Sequence, residues 1–182
     1  DILFLCSLIL TLQALKFSKK IVYYYSVFGT LIIIFEFLFL LGFFSKLHGW
    51  FNVAVYFIQV IFLAGIIVLL LQDMYSTTIV TQDTILGGIC VYFLIGYLWT
   101  LLYFILYQFD KTSFTHNQAI GEINFFYFSF ITLTTLGYGD ITPATGPAML
   151  LSSFEAIIGQ FYVAILLARI IGIQTMQHPR KQ

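Results

Sequence analysis

Four apolar runs, residues 21–44, 51–71, 85–107 and 147–171, dominate a chain of 182 residues. Each has the length of about 20 mostly apolar residues that a helix needs to cross the hydrocarbon of a bilayer. In that solvent the backbone must satisfy its own hydrogen bonds, so spanning segments are helices or closed barrels. The runs therefore predict an all-α membrane protein, and a composition that is 60% hydrophobic and only 9% charged agrees. A fifth run, residues 2–15, is short. It lacks the basic start and small-residue cleavage site of a secretory signal, and the chain begins at Asp1, so it reads as the end of a spanning helix with residues upstream.

Charge and rare residues exclude several classes of function. Eight basic and eight acidic side chains cancel, which leaves no basic surface for nucleic acid. Cys6 and Cys90 lie inside apolar runs without metal spacing or a disulfide framework, and His48, His116 and His178 are far apart in hydrophilic connections or the tail. No catalytic constellation or cofactor motif is found, so the chain does not read as an enzyme. Its partners are expected in the lipid bilayer.

The basic residues also predict orientation. Lys16, Lys19 and Lys20 cluster in one connection, and Arg169, Arg180 and Lys181 gather beyond the last run. The positive-inside tendency puts both on the cytoplasmic face of the cell (plasma or inner) membrane, C-terminus included. Counting crossings between them is consistent, with Lys46 and Lys111 as exceptions outside.

One apolar piece, Phe125–Leu133, is too short to span and is expected to be re-entrant, opening from the extracellular side. Asn124 is a suitable N-cap, and Glu122 suits the positive end of the helix dipole. Residues 134–143 then read TTLGYGDITP. Gly137 and Gly139 reach positive φ without steric cost, so alternation with Leu136 and Tyr138 lets successive carbonyls face one axis. Rings of neutral carbonyl dipoles replace the hydration shell of a cation without trapping it. Thr135 adds a hydroxyl at the inner end. A single such hairpin cannot surround an ion, so four copies are expected around an axis, as a homotetramer.

The stretch TTLGYGD resembles the signature of tetrameric potassium channels, whose TVGYG loops form a selectivity filter. The resemblance covers residues 85–171 as outer helix, pore helix, filter and inner helix, and is closest to bacterial channels with one pore loop per subunit. It implies that Thr135, Leu136, Gly137 and Tyr138 coordinate potassium, the permeant ion rather than a cofactor, while Gly139 and Asp140 finish the outer mouth. Leu136 stands where the family usually has Val, so its bulk bears on filter rigidity. Some members pair a pore-helix glutamate with the filter aspartate; the matching residue here is Ile131, and that pair is missing.

Gly159 falls where the family often has a hinge glycine, and glycine weakens a helix interior by about 1 kcal/mol relative to alanine. It suits a close-packing point between membrane helices equally well. Glu155 and Gln160 are polar within the same run and are expected to face protein or water, one of them supporting the filter from behind. Arg169 reads as an interfacial cation or a gating residue. In six-helix relatives the helix before the pore carries arginines for sensing voltage, whereas residues 51–71 hold no Arg or Lys. Residues 1–71 thus read as a sensor-like bundle, lacking its first helix, or as the front of a five-helix subunit. Glu36, the only carboxylate deep in it, is a regulatory acid or a packing residue. Residues 72–84 form a linker, 85–172 the pore domain and 173–182 a cytoplasmic tail too short for a ligand-binding domain. The expected function is passive, potassium-selective conduction. The rivals are a weakly selective cation channel, a potassium transporter subunit and a scaffold with a closed pore. Asp110, Glu122 and Asp140 would concentrate cations at the mouth, partly opposed by Lys111.

Overall fold

The computed structural model describes residues 23, 27, 29–32, 34, 50–76, 81–116 and 123–177. The backbone divides into two compact units, Asp1–Asn52 and Val53–Gln182. In the first, the described residues 23, 27, 29–32 and 34 are helical and fall within the expected span 21–44, and residues 50–52 begin the next helix. Glu36, Glu122, Lys16, Lys19, Lys20, Lys46, Arg180 and Lys181 lie outside the described residues.

The rest of the described chain is a membrane-type helical assembly: α1 (Trp50–Ser76), α2 (Gln82–Phe109), β1 (Phe114–His116), α3 (Phe125–Leu133), β2 (Ile141–Pro143) and α4 (Gly146–Gln177). Among the described residues three stretches are long and apolar enough to span, Val53–Ser76, Thr84–Phe109 and Gly146–Ile173, and α3 is not among them. The protein is thus an all-α membrane protein with a short helix between the second and third of these spans. The three long helices overrun the apolar runs that predict them, because a helix stops where its end groups find other partners and not where hydropathy falls. At the start of α2, Thr84 N donates to Thr81 Oγ1 at 3.3 Å while Thr81 N donates to Thr84 Oγ1 at 3.4 Å, a reciprocal cap that places the first turn ahead of Ile85.

Aromatic packing sets α3 against α2. Phe125 and Phe128, on the buried side of α3, meet Tyr103 of α2 and Phe114 of β1, with ring centroids 5.0 Å apart for Tyr103–Phe128 and 5.1 Å for Phe114–Phe125. The Tyr103–Phe128 and Phe114–Phe125 pairs are edge-on, the arrangement that brings the positive rim of one ring to the negative face of the other. A small antiparallel ladder closes the cluster, pairing Phe114 with Pro143, Thr115 with Thr142 and His116 with Ile141. Across it the hydroxyls of Thr115 and Thr142 are 2.7 Å apart, and Ala144 N donates to Ser113 O at 2.8 Å. The segment after the Gly-Tyr-Gly turn is therefore fastened to the loop that follows α2.

The long α4 packs on both neighbours. Tyr162 Oη donates to Gly88 O of α2 at 2.7 Å, and its ring stacks on Tyr92. Further along, Arg169 Nη2 donates to Met74 O near the end of α1, with its guanidinium 4.4 Å from the centroid of the Tyr75 ring. Arg169 is thus half-buried against the end of α1. Half of the side chains in the spanning part of α2 are buried, but almost none of those in α4 are.

Candidate functional site

α3 begins and ends in ways that aim its C-terminus. Asn124 Oδ1 accepts from Tyr127 N at 3.0 Å, which satisfies a backbone donor of the first turn and agrees with its expected role as N-cap. At the other end Thr134 N donates to Phe130 O at 3.1 Å, and the chain leaves the helix.

Beyond Thr134 the backbone alternates in hand. Thr135, Gly137 and Gly139 have φ of 58°, 52° and 79°, while Leu136 and Tyr138 keep negative values. The sequence points to the two glycines for this conformation, but the alternation starts one residue earlier, at a β-branched threonine for which positive φ is costly. Neighbours hold it there. Thr135 N donates to Thr132 O at 2.9 Å, Leu136 N to Ile131 O at 2.8 Å and Gly137 N to Ile131 O at 3.1 Å, while Gln160 Nε2 of α4 donates to Thr135 Oγ1 at 3.0 Å. Strain of this kind collects where function requires it.

Three donors aimed at one helix end determine where the carbonyls go. In a planar trans peptide the C=O points opposite to the N–H of the same unit. The carbonyls of Thr134, Thr135 and Leu136 therefore point away from α3, toward the open side of the chain. In the same turn Leu136 is 56% and Tyr138 67% exposed.

Asp140 is held at the end of the turn. Its Oδ2 accepts from Tyr127 Oη at 2.6 Å and its Oδ1 from Ile141 N at 3.1 Å. The bond to the Asp140 carboxylate pushes the Tyr127 phenol up to about 12. With Ile131 buried and apolar, a tyrosine one turn earlier supplies the partner that the missing glutamate pair would have provided. In the nearby loop Asp110 Oδ1 accepts from Thr112 Oγ1 at 2.6 Å and Thr112 N at 2.8 Å, and these bonds hold its carboxyl below the usual range.

Behind the turn, Glu155 of α4 is fully buried, and its carboxyl meets Tyr103 Oη and Ser129 Oγ. Gly159, one turn on, faces Leu133: a Cβ there would lie 2.1 Å from Leu133 O, so only glycine permits the approach of α4 to the end of α3. The structure thus brings Thr135, Gln160, Glu155 and Gly159 around the C-terminus of α3. Tyr103 and Ser129 meet Glu155 behind α3 and Tyr127 of its first turn meets Asp140, and sequence reasoning missed all three. Hydroxyls within apolar helices were the signal available for them.

The family model described as "Ion channel" matches residues 79–175, more than half of the chain. Among curated proteins, the chain is 32% identical to "Two-pore potassium channel 2" of Arabidopsis thaliana over 100 residues, 55% of this chain and 20% of the relative. It is 51% identical to "Two pore potassium channel c" of Oryza sativa subsp. japonica over 46 residues, 25% of this chain and 10% of the relative. The chain thus spans a fifth or less of the length of these relatives. No solved structure is significantly similar to it. A short capped helix whose C-terminus anchors a turn of alternating hand, set between two spanning helices in a stretch that the family model covers, places this chain in the ion channel family.

Proposed function

We propose that this chain is one protomer of a homotetrameric, potassium-selective channel that conducts passively. The observation that carries the reading is the alternating backbone from Thr135 to Gly139, with the N–H groups of Thr135, Leu136 and Gly137 turned to α3 and the carbonyls of Thr134, Thr135 and Leu136 turned away. Four such turns around an axis stack rings of oxygen from Thr135, Leu136, Gly137 and Tyr138, with the Thr135 hydroxyls innermost and Gly139 and Asp140 at the outer mouth. Neutral dipoles in rings compensate a potassium ion for its lost water and still release it. The negative end of the α3 dipole, directed at the same axis, favours a cation there. The potassium channels named among the relatives support the choice of ion.

Voltage sensing by arginine is not part of the proposal. α1 carries neither Arg nor Lys. A sensor needs charge to move, at about 2.3 kcal/mol per elementary charge per 100 mV. We place the protein in the cell membrane with the C-terminal end of α4 in the cytoplasm, on the strength of the basic residues there, and assign the pore to residues 85–172.

Purified protein in planar bilayers, with potassium on one side and sodium on the other, tests the reading. Currents are expected to reverse close to the potassium equilibrium potential, with no steep dependence of opening on voltage. Reversal near zero would instead make Leu136 part of a weakly selective cation pathway. Saturable uptake without unitary currents would point to a transporter subunit.

A further inference from the structure

A count of protons behind the turn carries one step beyond this function. Three oxygen–oxygen contacts link four groups: Tyr103 Oη with Glu155 Oε2, Ser129 Oγ with Glu155 Oε1 at 2.5 Å, and Ser129 Oγ with Gly96 O at 2.6 Å. Each contact needs one hydrogen between its oxygens. Tyr103 and Ser129 own one hydroxyl hydrogen apiece, and the Gly96 carbonyl owns none. Tyr103 serves the first contact. Ser129 can serve only one of the other two, and since Gly96 O can only accept, the serine hydrogen goes there. The hydrogen in the remaining contact must then come from the carboxyl.

We infer that Glu155 is a neutral carboxylic acid that donates to Ser129 and accepts from Tyr103, and that it acts as a positioning residue for the ion pathway by locking α3 to both α2 and α4. The inference rests on the channel reading for its function, though not for its protonation. Burial agrees: Glu155 is 0% exposed and its partners among the described residues are hydroxyls, so a negative charge there would have no counter-cation among them.

The position in the fold explains what the lock does. Ser129 lies in α3 two residues before Ile131, whose carbonyl receives Leu136 N and Gly137 N. Loss of the carboxyl hydrogen leaves Ser129 with one hydrogen for two acceptors, Gly96 O on α2 and Glu155 on α4. α3 then loosens from one helix or the other, and the carbonyl that anchors the turn moves with it. Of the neighbouring titratable groups, Tyr92 lies within electrostatic reach of Glu155 but its Oη donates to Leu133 O, while Tyr127 donates to Asp140, Tyr162 to Gly88 O and Arg169 to Met74 O.

The full chain, reconstituted in lipid vesicles, allows two independent readouts. In infrared difference spectra of wild type against Glu155→Gln at neutral pH, wild type is expected to show the C=O stretch of a protonated carboxyl. Carboxylate bands in its place would overturn the inference. In potassium flux, Glu155→Gln, which keeps a donor and an acceptor without charge, is expected to stay within about twofold of wild type, whereas Glu155→Ala falls by about tenfold. Loss of flux in Glu155→Gln as deep as in Glu155→Ala would overturn the positioning role. If Glu155→Ala does not assemble, the glutamine variant and the infrared band still decide. If wild type itself passes no potassium, the channel reading fails, while the infrared band still decides the state of Glu155.

Discussion

Tyr127 and Asp140 show how a single contact fixes the edge of the turn. The phenol donates to the carboxylate at 2.6 Å, and the folded chain keeps the phenolic proton up to about 12 where an unfolded chain releases it at about 10. A raised value in the folded state means that the contribution of the bond to stability is complete below the unfolded value and lost as pH rises through the folded one. Tyrosine absorbance titrations of wild type and Tyr127→Phe should therefore differ by one phenol ionising near about 12, and Asp140→Asn should return that phenol toward about 10. A wild-type difference centred at the ordinary value would show that the bond is not made. At this scale the sequence revealed Gly137 and Gly139, because only glycine makes positive φ easy. It concealed Thr135, whose strained backbone is imposed by bonds to α3 and by Gln160.

Among the elements, α3 was the most legible. Its nine apolar residues and the preceding asparagine mark both its length and its start, and the structure returns Phe125–Leu133 with Asn124 as the cap. The ladder of β1 and β2 left no trace, since three residues per strand are too few to show a period and the pairing partners are far apart in sequence. The approach of α4 to α3 was visible in the sequence only as Gly159, which suits a hinge or a close-packing point equally well and names no partner. With Leu133 O so near, Gly159→Ala must push the two helices apart, and overpacking of this kind costs about 1–3 kcal/mol. Thermal unfolding in detergent is expected to shift downward accordingly. An unchanged midpoint would argue that α4 bends away from α3 at this residue, as a hinge does.

For the whole molecule, the exposed side chains are the informative ones. Phe154, Ile158, Phe161 and Ile165 of α4 are exposed in the single chain, as are Leu136 and Tyr138 of the turn. Tyr138 and Leu136 adjoin polar backbone, where lipid is a poor cover, and other copies of the chain are a good one. Chemical cross-linking in mild detergent is expected to give a ladder ending at four copies. A ladder ending at two would overturn the proposed fourfold axis and the carbonyl rings built on it. By itself, the sequence determined that the chain lives in a bilayer as helices and that a short helix precedes a turn able to reverse its backbone hand. Both follow from local properties, namely the length of apolar runs and the freedom of glycine. Only the tertiary structure decided which groups meet: Tyr127 with Asp140, Glu155 with Ser129 and Tyr103, and Arg169 with the end of α1. Such contacts join residues far apart in the chain, and their partners are selected by packing distance, which no local pattern of residues records.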